Sequence, residues 1–512
     1  MHVEWHRRAR VRRPPRNRPV RFEWHWEKAL AVRGQNCLGF EVSADTYDAV
    51  FVGAIGRRKD PRTCRHDFLC ERDSRQWGDQ TNDQEDRKDD SDILLGLGRH
   101  VLTLAYLAVA LVVQKFGGTS VADAERIGEV ADHVARCRRR GDQVVLVVSA
   151  MGKETDDLLR LADEVSKTQP GREMDLLITA GERKACALVA MALNDNDVPS
   201  ASFTGSQAGF LTDSNHRNAK ILEVNPTRVR EAIDAGMVPV VAGSQGVSVE
   251  KDVTFLGRGG SDTTAVALAH ALEADSCELY TDVSGVFTTD PRVVSDARKM
   301  PTISFDEMLE MTAVGCPKPV MRSVEVAQRF RVPLHVRSAF TWEPGTWVIE
   351  EDPDMELAII KAVVPDTSEA KITVCGVPDE PGIAAGMFRA LADAGVNVDM
   401  IVQNVGADGE TDISFTAPTD DASRAAQICE QSAPGDSCVV STDSEIGRVS
   451  VVGAGMKSNP GVAATMFETL AANDINIEMI STSAIRISCV VRGSDVDKAT
   501  QALHDAFELA KA

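Results

Sequence analysis

The chain has 512 residues, 43% of them apolar, and carries a formal net charge of −21. That length and apolar content allow two to four domains with real hydrophobic cores. The acidic excess argues against general nucleic-acid binding, which needs basic surface to neutralise phosphates, so an anionic small substrate would need a local positive pocket.

Residues 1 to 108 differ from everything that follows. Four of the six tryptophans (Trp5, Trp24, Trp26, Trp77) fall here, beside a basic run from Arg7 to Arg21 and a polar run from Asp79 to Asp92. One reading is a basic arm for nucleic acid or membrane. The favoured reading is a disordered extension that cannot bury enough apolar surface to offset its ordering entropy. A sharper expectation is upstream sequence joined wrongly to the gene product, with initiation at Val109. Eleven cysteines without a CxxC pair fit reduced cytosolic thiols better than a disulfide framework. Cys64, His66 and Cys70 lie close in sequence, but three potential ligands fall short of a closed zinc set. The most apolar run, Val101 to Val113, has 13 residues against the roughly 20 that span a bilayer, so neither membrane nor nucleic acid is an expected partner.

Leu111 to Ser120, LVVQKFGGTS, is an apolar strand-like run ending in a lysine and a glycine pair before a helical pattern. Backbone N–H groups of Gly117 and Gly118, the helix N-terminus and the mobile cation Lys115 would together seat a phosphate; a plain turn is the other reading. Helical spacing from Ala124 to Val134 ends in Arg136 to Arg140 and Gly141, a cationic last turn and a stop. Val144 to Val148 reads as a buried strand ending at Ser149-Ala-Met-Gly152, a ligand position at a strand's carboxyl end. Helices near Asp156 to Glu164, Glu182 to Leu193 and Thr263 to Leu272 alternate with strands Val238 to Ala242 and Cys277 to Tyr280. That alternation predicts a three-layer α/β domain with a mainly parallel sheet over 109–352.

From Glu369 the pattern becomes a repeat. Pro381-Gly382, Met387-Phe388, Leu391, Asn397 and Met400-Ile401 recur as Pro460-Gly461, Met466-Phe467, Leu470, Asn476 and Met479-Ile480, all displaced by 79 residues, which marks a duplication. Each copy reads as a strand, a PG turn opening a helix, and a strand around the Asn. Two small α+β domains are expected, over 369–442 and 447–512, with no catalytic-looking residues and hence a regulatory binding role.

Further candidates for chemistry lie in three stretches. Thr179-Ala-Gly-Glu182 places a carboxylate at an expected helix start, suited to a substrate ammonium or simply to the helix dipole. Leu256 to Thr264, LGRGGSDTT, is a second glycine loop, with Arg258 shaped for bidentate contact to a carboxylate or phosphate. Tyr280 to Arg292, YTDVSGVFTTDPR, has the polar, turn-rich make-up of a nucleotide-binding loop, and its Asp282 could reach magnesium or ribose, or cap a turn. No GxxxxGK[ST], HRD or DFG pattern occurs, which excludes the P-loop and protein-kinase arrangements.

KFGGTS, SAMG, TAGE, FTGSQAG, LGRGGSDTTAVALA, YTDVSGVFTTDPR and the twin PG-helix repeats together resemble the aspartate kinase (aspartokinase) family in its actinobacterial form, over about residues 109 to 512. The resemblance implies an amino-acid-kinase fold followed by two ferredoxin-like ACT domains. It also implies phosphoryl transfer from ATP, bound with Mg2+, to L-aspartate, giving 4-phospho-L-aspartate at the start of the route to lysine, threonine, methionine and diaminopimelate. Motif by motif, Ser149, Glu182, Arg258 and Ser261 would hold aspartate. Lys115, Gly117, Gly118, Thr281, Asp282, Phe287, Asp290, Arg292 and Lys318 would hold the nucleotide. Lys115, Arg258 and Asp282 are the expected catalytic residues, and no dedicated protein metal site is expected. Lysine and threonine are the implied effectors, with contacts from Asp379, Gly382, Asn397, Asp399, Gln403, Asn404, Asn476, Ile477, Ser481 and Thr482; for each Asn the alternative is a residue satisfying a turn. A cytoplasmic homo-oligomer is implied, or an α2β2 assembly whose regulatory subunit starts internally, for instance at Met355.

Two departures from the family pattern stand out. Gly315-Cys-Pro-Lys-Pro319 replaces the usual G-[AS]-K-[IV]-L run, shifting Lys318 by one place between prolines. Gly406 stands where relatives commonly carry serine after Gln-Asn-Val, which would soften feedback inhibition. The alternatives are another amino-acid kinase, such as glutamate 5-kinase or N-acetylglutamate kinase, and a catalytically impaired amino-acid sensor.

Overall fold

The computed structural model describes residues 37–42, 51–56, 110–350, 360–405, 409–432, 438–454, 456, 459 and 461–511. The chain divides into two compact units, Met1–Leu95 and Gly96–Ala512. The first contains β1 (Cys37–Val42) and β2 (Phe51–Gly56), paired antiparallel. The other expectations for residues 1–108, and those for Val109, Met355 and Gly406, lie outside the described residues.

In the second unit the chain alternates between strands and helices. The order is β3 (Leu111–Phe116), α1 (Ala124–Arg140), β4 (Gln143–Val148), α2 (Glu154–Val165), α3 (Gly171–Asp195), β5 (Ser200–Phe203), β6 (Phe210–Thr212), β7 (Ile221–Val224), α4 (Thr227–Asp234), β8 (Val238–Ala242), β9 (Gln245–Ser248) and β10 (Val253–Phe255). It continues with α5 (Gly260–Leu272), β11 (Ser276–Thr281), β12 (Thr302–Ser304), α6 (Phe305–Ala313), α7 (Met321–Phe330), β13 (Leu334–Ser338) and β14 (Thr346–Ile349). Eight strands form one sheet in the order β12-β14-β13-β11-β3-β4-β8-β5. It is parallel from β13 to β5, and β14 runs antiparallel to β13. Because side chains alternate along a strand, Val113, Val145 and Val147 pack with Ala265 and Leu268 of α5 on one face. Phe116, Leu146 and Val148 pack with Val130 and Val134 of α1 and Val189 of α3 on the other. Burial on both faces is what makes these strands near-continuous apolar runs. α1 stops where the sequence reads a stop: Gly141 takes φ +101 and its N–H closes onto Arg138 O.

The remaining elements are β15 (Ala362–Asp366), β16 (Glu369–Pro378), α8 (Ile383–Asp393), β17 (Ile401–Val405), β18 (Glu410–Pro418), α9 (Ala422–Ser432), β19 (Val439–Asp443), β20 (Ile446–Val452), α10 (Val462–Ala472), β21 (Met479–Thr482), β22 (Arg486–Arg492) and α11 (Val496–Ala506). Helices α8 and α10 sit at the displacement of the sequence repeat, each opened by a glycine of positive φ, Gly382 at +105 and Gly461 at +122. Met387, Leu391, Met466 and Leu470 are all buried in the two respective cores. Asn397 and Asn476 lead into their strands rather than lying within them. The first four-stranded sheet is β17-β18-β16-β19, and the second is β15-β20-β22-β21. The edge strand of the second sheet thus comes from chain that precedes the first repeat.

One buried cation joins the two small sheets. Arg448 of β20 is 1% exposed, and its guanidinium meets Asp366 at 2.7 Å, Glu369 at 3.2 Å and also Asp399. Burial alone would disfavour its charge, but the three carboxylates outweigh that and hold it firmly protonated. Truncating one member of such a buried set leaves the others uncompensated. Arg448→Ala is therefore expected to destabilise the two C-terminal sheets by about 3–5 kcal/mol, read as loss of their transition in thermal or urea unfolding; an unchanged midpoint would refute the structural role.

Candidate active site

The parallel strands β11, β3, β4 and β8 all end on one edge, and the chain leaves them in opposite directions, from β3 toward β4 and from β11 toward β13. The crevice at such a reversal is where ligands bind open α/β sheets, and KFGG, SAMG, Gly243-Ser244 and Thr281-Asp282 converge on it. Pairing aligns Lys115 with Leu279 and Val147. Its side chain therefore projects from the same face as Val113, toward α5. There Lys115 Nζ lies 2.5 Å from Asp262 Oδ1, with side chains 7% and 3% exposed.

Close backbone packing builds the rest of the site. A Cβ on Gly118 would lie 2.9 Å from Ala150 O, and one on Gly181 would lie 2.9 Å from Ala150 Cβ, so the KFGG turn, the SAMG turn and α3 meet around Ala150. A Cβ on Gly243 would lie 2.5 Å from Ser261 Oγ, which admits the start of α5 beside the end of β8. Ser261 Oγ is 3.0 Å from Ser244 Oγ, and the Ser244 N–H donates to Thr264 Oγ1 at 3.0 Å. Gly257 and Gly259 take φ +90 and +71, conformations that side chains rarely adopt. Arg322 fastens this loop by donating to Leu256 O at 2.6 Å and Ala219 O at 2.7 Å.

Glu182 faces the crevice from α3. It is 3% exposed, and its Oε2 has no hydrogen-bond partner. Burial pushes its carboxyl up to about 7; Glu154 adds repulsion, while the Ala150 backbone and Arg183 pull the other way. The expected helix start at Glu182 is corrected: α3 begins at Gly171, so Glu182 lies well inside the helix and packing, not the helix dipole, sets its environment. The Gly117 N–H is likewise not free for a phosphate, because it donates to Tyr280 O at 3.2 Å.

The other expected residues are distributed as follows. Ser149 follows β4, its N–H donating to Phe116 O at 3.1 Å. Thr281 is buried and donates to Asp282 Oδ1 at 2.9 Å, leaving Asp282 at the exposed mouth. Arg258 is exposed on its loop without an ion-pair partner among the described residues. Asp290 and Arg292 pair with each other at 2.6 Å, and Phe287 bridges to Lys299. Lys318 is half-buried and its carbonyl accepts from Cys316 Sγ at 3.4 Å. In the small domains Asp379 N donates to Gly409 O, the Asn404 carbonyl accepts from Thr411 Oγ1, and Ile477 packs on the second core. Gln403, Asn476 and Thr482 are exposed, and Ser481 lies opposite Ser488. Asp399 is engaged by Arg448. Residues 110–338 match the amino acid kinase family, and 372–432 and 449–507 match the ACT domain. The aspartokinase of Mycolicibacterium smegmatis is 56% identical over 409 residues, covering 78% of this chain and 97% of that protein. The chain belongs to the aspartokinase family. The aspartokinase of Corynebacterium glutamicum is 54% identical over 407 residues, again 78% of this chain and 97% of the relative. E. coli aspartokinase III in complex with aspartate and ADP shares the fold, with a TM-score of 0.65 at 24% identity over 77% of this chain and 99% of that one.

Two residues of this aspartokinase site had no role assigned from sequence. Asp262 sits inside the quoted LGRGGSDTT stretch, two places after its glycine pair and in the first turn of α5, and that acidic first-turn position was the available signal. Glu154 pairs with Lys184 at 2.6 Å and borders an open cleft of about 490 Å³ with Met151 and Gly152; nothing in its sequence context marks it. Asp262→Asn would leave a buried lysine uncompensated, so a loss of about 3–5 kcal/mol is expected. The Lys115→Met/Asp262→Asn double variant should lose less than the sum of the single losses. Strict additivity in unfolding midpoints would show that the pair does not interact.

Proposed function

We propose that this chain transfers the γ-phosphoryl group of ATP to the side-chain carboxylate of L-aspartate, giving 4-phospho-L-aspartate and ADP, as the first step toward the amino acids made from aspartate. The observation that carries the residue-level reading is a buried cation and a buried acid of raised pKa on one strand-edge crevice: Lys115 at the end of β3 and Glu182 on α3. The aspartokinase names of relatives at 54–56% identity support it.

The acceptor carboxylate is already ionised at neutral pH, so the chain need supply no general base; positioning and charge neutralisation do the work. Glu182 takes the substrate ammonium, Arg258 its α-carboxylate in a bidentate grip, and Ser149 and Ser261 add hydrogen bonds. Lys115, held ready by Asp262, compensates the charge on the transferring phosphoryl group, with Gly118 allowing close approach. Thr281, Phe287, Asp290, Arg292 and Lys318 line the nucleotide, and Gly117 holds the turn beneath it. Mg2+ bound with ATP would neutralise phosphate charge. The exposed carboxylate of Asp282 is the donor that suits an ion keeping most of its waters.

The two ACT domains take lysine and threonine as feedback effectors, with Asp379, Gly382, Asn397, Asp399, Gln403 and Asn404 of the first copy facing Asn476, Ile477, Ser481 and Thr482 of the second. E. coli aspartokinase III, whose fold this chain shares, has been solved with lysine and aspartate in a T-state. A closed oligomer follows from pairing of ACT surfaces between chains, as a homo-oligomer or with an internally started regulatory subunit.

Lys115→Ala should cut kcat by orders of magnitude while KM for aspartate changes little; comparable kcat would remove Lys115 from the chemistry. Glu182 must be ionised to take an ammonium, and its pKa in the fold is about 7. KM for aspartate is therefore expected to rise roughly tenfold per pH unit below that value and to flatten above it. The sign for stability is opposite to that of an ordinary paired acid. The folded state keeps a proton the unfolded chain has lost, so the contribution is present below about 4.5 and lost as pH rises to about 7. A KM profile in Glu182→Gln identical to wild type would assign the pH dependence elsewhere.

A further inference from the structure

The nucleotide loop meets the C-terminal helix α11 at a group of side chains that the phosphoryl-transfer site does not use. His504 of α11 is fully buried, yet its Nδ1 has no hydrogen-bond partner. Its Nε2 lies 3.0 Å from Thr288 Oγ1. A ring nitrogen of His504 and one carboxylate oxygen each from Asp296 and Asp505 lie within 4.8 Å of one another. Asp296 follows the YTDVSGVFTTDPR loop, and Asp505 is the next residue of α11, so two separate parts of the chain supply the three groups.

We propose that His504, Asp296 and Asp505 form a binding site for a divalent transition-metal ion, Zn2+ or Mn2+, that ties the nucleotide loop to the last helix of the second ACT domain. No ion pair within 4.0 Å joins any two of the three among the described residues, so the carboxylates do not simply satisfy the imidazole. An ion about 2.0–2.2 Å from each donor places donors roughly 3–3.5 Å apart. A contraction of about 1 Å, available to the two exposed aspartates by side-chain rotation, brings them there. Thr288 Oγ1 accepts the Arg298 N–H at 3.0 Å and has a second lone pair for an Nε2–H. In that tautomer Nδ1 keeps its lone pair for the metal, and Thr288 acts as the outer partner that metal-bound histidines use. One imidazole and two carboxylates, completed by water, suit Zn2+ or Mn2+, whereas Mg2+ prefers oxygen alone.

The test uses the full-length, reduced, chelator-stripped protein without nucleotide, titrated with Zn2+, Mn2+ and Mg2+ separately by calorimetry and by thermal unfolding. Wild type is compared with the Asp296→Asn/Asp505→Asn variant, whose substitutions lie at exposed positions; equal metal-free unfolding temperatures confirm its fold. Cys64, His66 and Cys70 and the active-site acids are common to both proteins, so the difference reads this site. The expected result is one fewer equivalent bound by the variant, or at least about tenfold weaker affinity for that equivalent, and loss of the metal-induced rise in unfolding temperature. Identical stoichiometry and affinity in the two proteins, or an equal response to Mg2+, overturns the proposal.

Discussion

The ion pair between Lys115 and Asp262 fixes the depth and direction of the crevice, because a buried ammonium group is tolerated only where an anion meets it. Asp262 can reach it only if α5 begins within contact of the β8 end, which Gly243 permits by carrying no Cβ in front of Ser261. The same helix start is held by Ser244 and Thr264 and by the loop that Arg322 anchors. Positioning of one cation at a strand end thus accounts for glycines and hydroxyls that are far apart in the chain.

The catalytic and regulatory parts share apolar packing, with Ala362, Val364 and Val452 in the same core as Phe305, Met308 and Met311 of α6, and polar contacts surround it. Glu307, whose backbone and side chain close a capping box with Ser304 at the start of α6, also accepts the Ala454 N–H at 3.3 Å. On the same helix Glu310 takes Ser483 Oγ at 2.9 Å and Arg486 at 3.3 Å. Strand β15 adds a backbone link, the Val363 N–H donating to Thr288 O at 2.8 Å. Three residues further along, Asp366 joins the Arg448 cluster that also holds Asp399. A continuous set of contacts therefore runs from an effector-site candidate to Thr288 in the candidate nucleotide loop by way of one five-residue strand. Gly315, of the run that departs from the family pattern, packs against Asp366 on this route.

Much of this was legible in the sequence because it is local. The strand-glycine-helix order around Lys115, the stop at Gly141 and the twin PG turns depend on neighbours in the chain, and the structure has them. What was hidden depends on distant partners. The α3 start was placed at Thr179-Ala-Gly-Glu182, whereas the helix begins just after Pro170 and runs on through Gly181, a residue that contact with Ala150 demands. Asp262 carried no role because its partner is far back in the chain, and only the β3–α5 packing brings them together. Asp399, expected to face an effector, is held by Arg448, a residue whose apolar strand context gave no hint of burial among three acids.

Strand β15 also sets an order on how the molecule is made. It leaves the ribosome about 80 residues before β20, its partner in the second ACT sheet, a wait of roughly 4–16 s at ordinary translation rates. During that time Ala362, Val363 and Val364, all buried in the finished protein, have no sheet to join. The loop that carries Thr288 is already synthesised and offers the strand its Val363–Thr288 backbone link, and Ala362 and Val364 pack in the catalytic core, so the catalytic domain can serve as a template for the last domain to form. Any shorter product begun inside the chain must start ahead of Ala362 to carry that edge with it.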